Sequence, residues 1–304
     1  AVNQGGGTEL VFGVKAMLDG AEGTMIASVD VENGYNEIMR SAILEQVWEC
    51  TKLRGAYFFF HKILSQNSYI GLGSGAHVRT APFTCEEDVQ QGAVEASFLF
   101  CVGTNRANQA THRDLLQTGG GLKAGMDDTY LLGAPDTVIL TVPTHKSCLK
   151  EVGLDFNDAK TECYIGPWFR TNTYRCMLGS MDEGMLQTPD GTPVYGVKIY
   201  GVPTGDDDYI AEALQLKAKK ITGEFSRIES RLNPSHFPEP QLPVRQCLWI
   251  LTLRCLQHLG NYLCRHVSPR LTEAFSRELD DGIKRLVTTS TGTICSTISN
   301  EASE

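Results

Sequence analysis

The sequence predicts an α+β fold, mixed up to about residue 205 and all-helical beyond it. Three observations predict this: β-prone runs alternate with helical periodicities over the first two thirds, apolar stripes at helical spacing then follow one another from Ile210 to Leu286, and 41% of the 304 residues are hydrophobic, enough for a substantial core. The chain is therefore expected to be globular.

The elements follow in order. Leu10, Val14 and Met17 recur at helical spacing behind Thr8, a good cap, and predict a helix over 8–18. Met25 to Val29 reads as a buried strand that ends in Asp30. Ser41 opens a second helix with Ile43, Leu44, Val47 and Trp48 as its stripe, while Tyr57 to Ile63 fits either helix or strand. Glycines 71, 73 and 75 among short β-prone runs suggest a hairpin between Gln66 and Phe83. Helical patterning returns at Ala93 to Val102, a β-prone segment centres on Asp127-Asp128, and the β-branched run Thr137 to Val142 predicts another strand. Thr188 to Val194, with its Pro and Asp-Gly pair, predicts a turn between two strands. A long amphipathic helix from Ile210 to Leu232 ends at a proline-rich linker, and two further helices centre on Leu251 and Phe275. Residues 288–304, rich in Ser and Thr, are expected to form a flexible tail.

Composition excludes several function classes. No stretch approaches the ~20 uninterrupted apolar residues of a membrane span, so no membrane partner is expected. The first residues carry neither a signal nor a transit pattern nor an initiator Met, and the chain is expected to begin mid-protein. The ten cysteines include no C-x-x-C pair, which points to reduced thiols in an intracellular, reducing compartment rather than to disulfides or zinc. Net charge is −9, but residues 217–286 hold 12 Lys and Arg against 7 Asp and Glu, the one basic surplus in the chain.

The chemistry lies in the carboxylates. Asp30 follows one apolar β-prone run, and Asp127-Asp128 precede another, Thr129 to Leu132. A carboxylate at the end of a buried strand is costly unless a positive charge compensates it, and divalent cations do so with hard oxygen ligands. Carboxylates on neighbouring strands could jointly hold two Mg²⁺ ions, or Mn²⁺, about 4 Å apart for in-line phosphoryl transfer.

The surrounding strings resemble the motifs of reverse transcriptases of the retroelement type. Asp30-Val31-Glu32-Asn33-Gly34-Tyr35-Asn36 resembles motif A, Glu87 to Gly92 with Phe100 behind it resembles motif B, and Ala124 to Gly133 resembles the motif C hairpin. Gly153 to Lys160 resembles motif D, and Tyr200 to Gly205 the strand-turn that follows it. The resemblance covers roughly residues 4–286, is most similar to non-LTR or tyrosine-recombinase elements, and departs from the family pattern at Gly125 and at Ala93 to Ser97.

It implies a polymerase palm, an antiparallel sheet with packed helices, over 23–205, a thumb-like helical region over 206–287 and a residual fingers segment over 1–22. The implied activity is that of a nucleotidyltransferase, an RNA-directed DNA polymerase adding deoxynucleotides to a primer 3′-hydroxyl. Asp30, Asp127 and Asp128 would be catalytic metal ligands, the Val31 carbonyl a further oxygen at the nucleotide, and Lys160 a donor to departing pyrophosphate. Tyr35 would bar a ribose 2′-hydroxyl, while Gln91 and Gly92 would let the backbone approach nucleotide and template. Partners would be an RNA template, a DNA primer and deoxynucleotides. The alternative is a catalytically retired domain of the same ancestry, kept as a structural or RNA-contacting subunit of a larger assembly.

Overall fold

The computed structural model describes residues 6–20, 23–65, 69–72, 79–82, 89, 93–166, 181–232, 246, 250–252 and 254–291. Contacts divide the chain into two compact units, 1–184 and 185–304. The division falls before the change of character near residue 205, because the three strands between 185 and 205 group with the helices that follow them.

The first unit begins with helix α1, Gly6–Gly20, and strand β1, Met25–Val29. A single helical turn, α2 (Gly34–Glu37), leads to α3, Arg40–Glu49, and α4, Tyr57–Leu64, which settles the ambiguous segment as helix. The expected hairpin forms from β2, Tyr69–Leu72, and β3, Arg79–Pro82, in antiparallel register. Helix α5, Ala96–Leu116, runs well past the predicted stretch, and β4, Gly121–Gly125, then pairs with β5, Asp128–Gly133.

One expectation is overturned. Thr137 to Val142 is no strand but part of helix α6, Pro135–Lys150. Its β-branched residues favour a strand by intrinsic preference, yet burial decides. Val138, Val142, His145 and Leu149 are buried at helical spacing, Pro135 sits in the first turn where its missing N–H costs nothing, and Asp136 complements the helix dipole.

Strands β6 (Glu162–Ile165) and β7 (Asp182–Glu183) complete a five-stranded sheet ordered β4-β5-β1-β6-β7, antiparallel except for the last pair. Met25, Ile26 and Ala27 are consecutive and fully buried, so both faces of the central strand are covered. Helix α6 packs on β1 and β5, helices α1 and α5 pack on the neighbouring strands β4 and β5, and α3 packs on α5.

Gly153, between α6 and β6, shows how tightly the connection is drawn. Its φ is +88°, and a Cβ there would lie 2.8 Å from the Glu37 carbonyl oxygen, a fixed backbone atom. Gly153→Ala should therefore lower unfolding free energy by about 2 kcal/mol, readable as a shifted denaturant midpoint; an unchanged midpoint would contradict this packing.

The second unit opens with a small antiparallel sheet of β8 (Met185–Gln187), β9 (Pro193–Ile199) and β10 (Val202–Gly205), the predicted turn joining the first two. Every described element beyond it is helical: α7, Asp207–Leu232, a 3-10 turn at Leu256–His258, α8, Asn261–His266, and α9, Pro269–Thr291. Helix α9 continues through residues 288–291, four positions into the expected tail, while 292–304 and the proline-rich linker lie outside the described residues. Phe225 of α7 and Leu279 and Leu286 of α9 are buried where these two long helices pack.

Candidate active site

The pairing of β1 with β5 builds the site. Their register runs from Met25 opposite Gly133 to Val29 opposite Thr129, so the next step sets Asp30 opposite Asp128. Directly opposed residues share a face of an antiparallel pair, which brings these two carboxylates together at one end of the sheet. Asp127 joins them from the turn between β4 and β5, where it is exposed. That turn is strained, since Met126 adopts φ +57° at a place where glycine is the usual occupant.

Electrostatics register the crowding. Burial, and then the negative charges of Asp127 and Asp30, push the Asp128 carboxyl up to about 6. Uncompensated negative charge of this kind is relieved by a cation, and oxygen donors suit a hard divalent one. In donor chemistry the three acids fit such an ion, although among the described residues no three His, Cys, Asp or Glu side chains form a ready metal-ligating cluster.

The neighbouring backbone is aligned by the segment 155–157. Glu32 N–H donates to the Asp155 carbonyl (2.9 Å) and Asn157 N–H to that of Asp30 (3.0 Å), bracketing a bridge between Val31 and Phe156. This pattern turns the Val31 carbonyl away from residues 155–157 and toward the edge where the 127–128 turn lies. Asp30 N–H also donates to Thr161 Oγ1 at 3.4 Å, and Lys160 Nζ stands 3.7 Å from Asp30 Oδ2 on a largely exposed side chain.

Tyr35 sits half-buried beside this cluster. Its ring stacks on Phe100 with centroids 4.8 Å apart, its hydroxyl donates to Ser97 Oγ at 3.2 Å, and its carbonyl accepts from Val89 N–H at 2.6 Å. Gly34 permits the stack, because a Cβ there would lie 3.1 Å from Phe100 and 2.7 Å from Val31 Cγ2. Burial first, with the Asp127 and Asp128 charges adding to it, raises the phenol's pKa, and the Ser97 contact lowers it.

The structure thus brings together Asp30, Asp127, Asp128, Val31, Tyr35 and Lys160. Gln91 and Gly92 lie outside the described residues. Sequence reading missed the contacts of Thr161 and Ser97, each of which meets a candidate site residue far away in the chain; for Ser97 the one signal was its spacing of three from Phe100 on a single helix face. In the second unit, a groove of about 320 Å³ is lined by Lys198, Lys217 and Lys220 over apolar residues such as Leu186 and Leu263. No helix among the described residues is long and apolar enough to cross a membrane.

Comparison with known proteins finds no matching family model and no matching curated protein. Among solved structures, the chain is similar to apo telomerase from Candida tropicalis, with 12% identity over 95% of this chain and 55% of that one and a TM-score of 0.45. Telomerase from the same organism in complex with a TWJ fragment of telomeric RNA aligns with 12% identity over 96% and 51%, TM-score 0.44. The Candida albicans telomerase complex with such a fragment aligns with the same identity and coverage at a TM-score of 0.34. The chain spans about half the length of these structures.

Proposed function

We propose that this chain is the catalytic core of a retroelement-type reverse transcriptase, which transfers deoxynucleotides to a primer 3′-hydroxyl under direction of an RNA template. The observation that carries the reading is the opposition of Asp30 and Asp128 at the ends of adjacent strands, with Asp127 in the adjoining turn. These are the acids of the strings that resemble motifs A and C.

Asp30, Asp127 and Asp128 would hold two divalent ions, with the Val31 carbonyl as a further oxygen. Such ions, when bound, supply charge neutralisation and ease deprotonation of the attacking hydroxyl. The protein's own part is placement. The Tyr35 ring blocks the space a 2′-hydroxyl needs, selecting deoxynucleotides. Lys160, exposed beside Asp30, is suited to receive the negative charge of the leaving pyrophosphate. Lys198, Lys217 and Lys220 in the second unit are suited to contact nucleic-acid phosphates, as the basic surplus of the C-terminal third suggests.

Extension of a DNA primer on an RNA template with Mg²⁺ is the test. Templated addition of deoxynucleotides supports the reading, and none by the folded protein overturns it. The second reading, a retired polymerase fold serving as an assembly subunit, draws on the net charge of −9 and on Glu95, an added acid at the head of α5. RNA binding without extension, unchanged by loss of the acids, would favour it.

A further inference from the structure

Tyr35 is the residue that the proposed function needs in one fixed place, and three contacts fix it. Val89 holds its backbone, Phe100 its ring face and Ser97 its hydroxyl. Ser97 and Phe100 lie three residues apart on α5, so one face of that helix grips both the flat and the tip of the ring. A stacked phenol whose hydroxyl is also tethered has no free side-chain torsion left.

This matters because a ring excludes a 2′-hydroxyl only if moving it aside costs more than the incoming hydroxyl gains. Stacking alone allows the ring to slide or pivot over Phe100, whereas the hydroxyl tether opposes both motions. Ser97 falls within the segment 93–97, where the sequence departs from the family pattern, so the tether arises where that pattern is lost.

We propose that Ser97 is a positioning residue for sugar discrimination, pinning Tyr35 through its hydroxyl so that ribonucleotides are rejected. The inference rests on the polymerase reading above, and its test is chosen so that the two can fail separately.

The test is equilibrium binding of dUTP and of UTP, which differ only at the 2′ position, each with Mg²⁺, to the primed protein, read as the ratio of the two dissociation constants alongside thermal stability. Ser97→Ala should reduce the preference for dUTP about fivefold, the usual worth of one hydrogen bond. Ser97→Thr, which keeps the hydroxyl, should restore it. Tyr35→Phe should give the same loss as Ser97→Ala, and the double variant no further loss, because both remove one shared contact. Tyr35→Ala, which removes the ring, should abolish the preference.

If Tyr35→Ala abolishes the preference while Ser97→Ala leaves it intact and lowers only the melting temperature, Ser97 is merely structural and the proposal falls alone. If the wild-type protein shows no preference, or Tyr35→Ala does not change it, the polymerase reading and this inference fall together.

Discussion

Replacing Asp30 by asparagine is expected to abolish primer extension, by about a thousandfold or more, without unfolding the protein. Asparagine keeps the size of the side chain and can still meet Lys160, but it removes the charge that Asp128 faces across β1 and β5. Stability should stay level or rise slightly, since a repulsion between carboxylates is relieved and the partner lost, an exposed lysine, contributes little. The same treatment of the exposed Asp155, which pairs with Lys150 away from the cluster, should leave extension near wild type. Equal extension by wild type and Asp30→Asn would sink the assignment. Parallel melting curves separate a chemical effect from a folding one.

Acid should destabilise the first unit through His145. This residue is fully buried in α6 with its Nδ1 2.9 Å from Thr111 Oγ1 of α5. Thr111 spends its own proton on the Ala107 carbonyl, which assigns the imidazole proton to Nδ1 and leaves Nε2 buried without a partner among the described residues. Burial depresses the pKa to about 4, from 6.5. The folded state therefore binds fewer protons than the unfolded one between these values. Stability from this group is complete above about pH 6.5 and is lost as pH falls toward 4, on the order of 3 kcal/mol in all.

Asp128, raised to about 6, acts in the opposite sense over an overlapping range, so the wild-type profile alone mixes the two. Subtraction separates them. Hydrogen exchange of α5 and α6 amides in wild type and His145→Gln should show a stability difference that shifts by about 3 kcal/mol between pH 7 and pH 4, because the Asp128 contribution cancels. A difference that does not change with pH would show that His145 is not held neutral.

Much of this is legible in the amino-acid sequence. Met25 to Val29 announces itself as a buried strand because every residue in it is apolar or small, and the region of β4 and β5 is legible as β-prone, with the hairpin itself implied by the resemblance of Ala124 to Gly133 to motif C. The 137–142 segment was not, since β-branched residues at helical spacing satisfy both patterns, and only the neighbours that bury Val138, Val142 and Leu149 choose between them.

By itself the sequence determined the α+β class and most of the order of elements, and it singled out the candidate acids, since hydrophobic period and motif order are local properties of the chain. The tertiary structure alone decided which groups meet. Strand register set Asp30 against Asp128, and the packing of α5 beside α2 carried Ser97 and Phe100 to Tyr35, more than sixty residues away in the chain. Such encounters depend on how separate elements pair and pack, a non-local outcome that no short window of residues encodes.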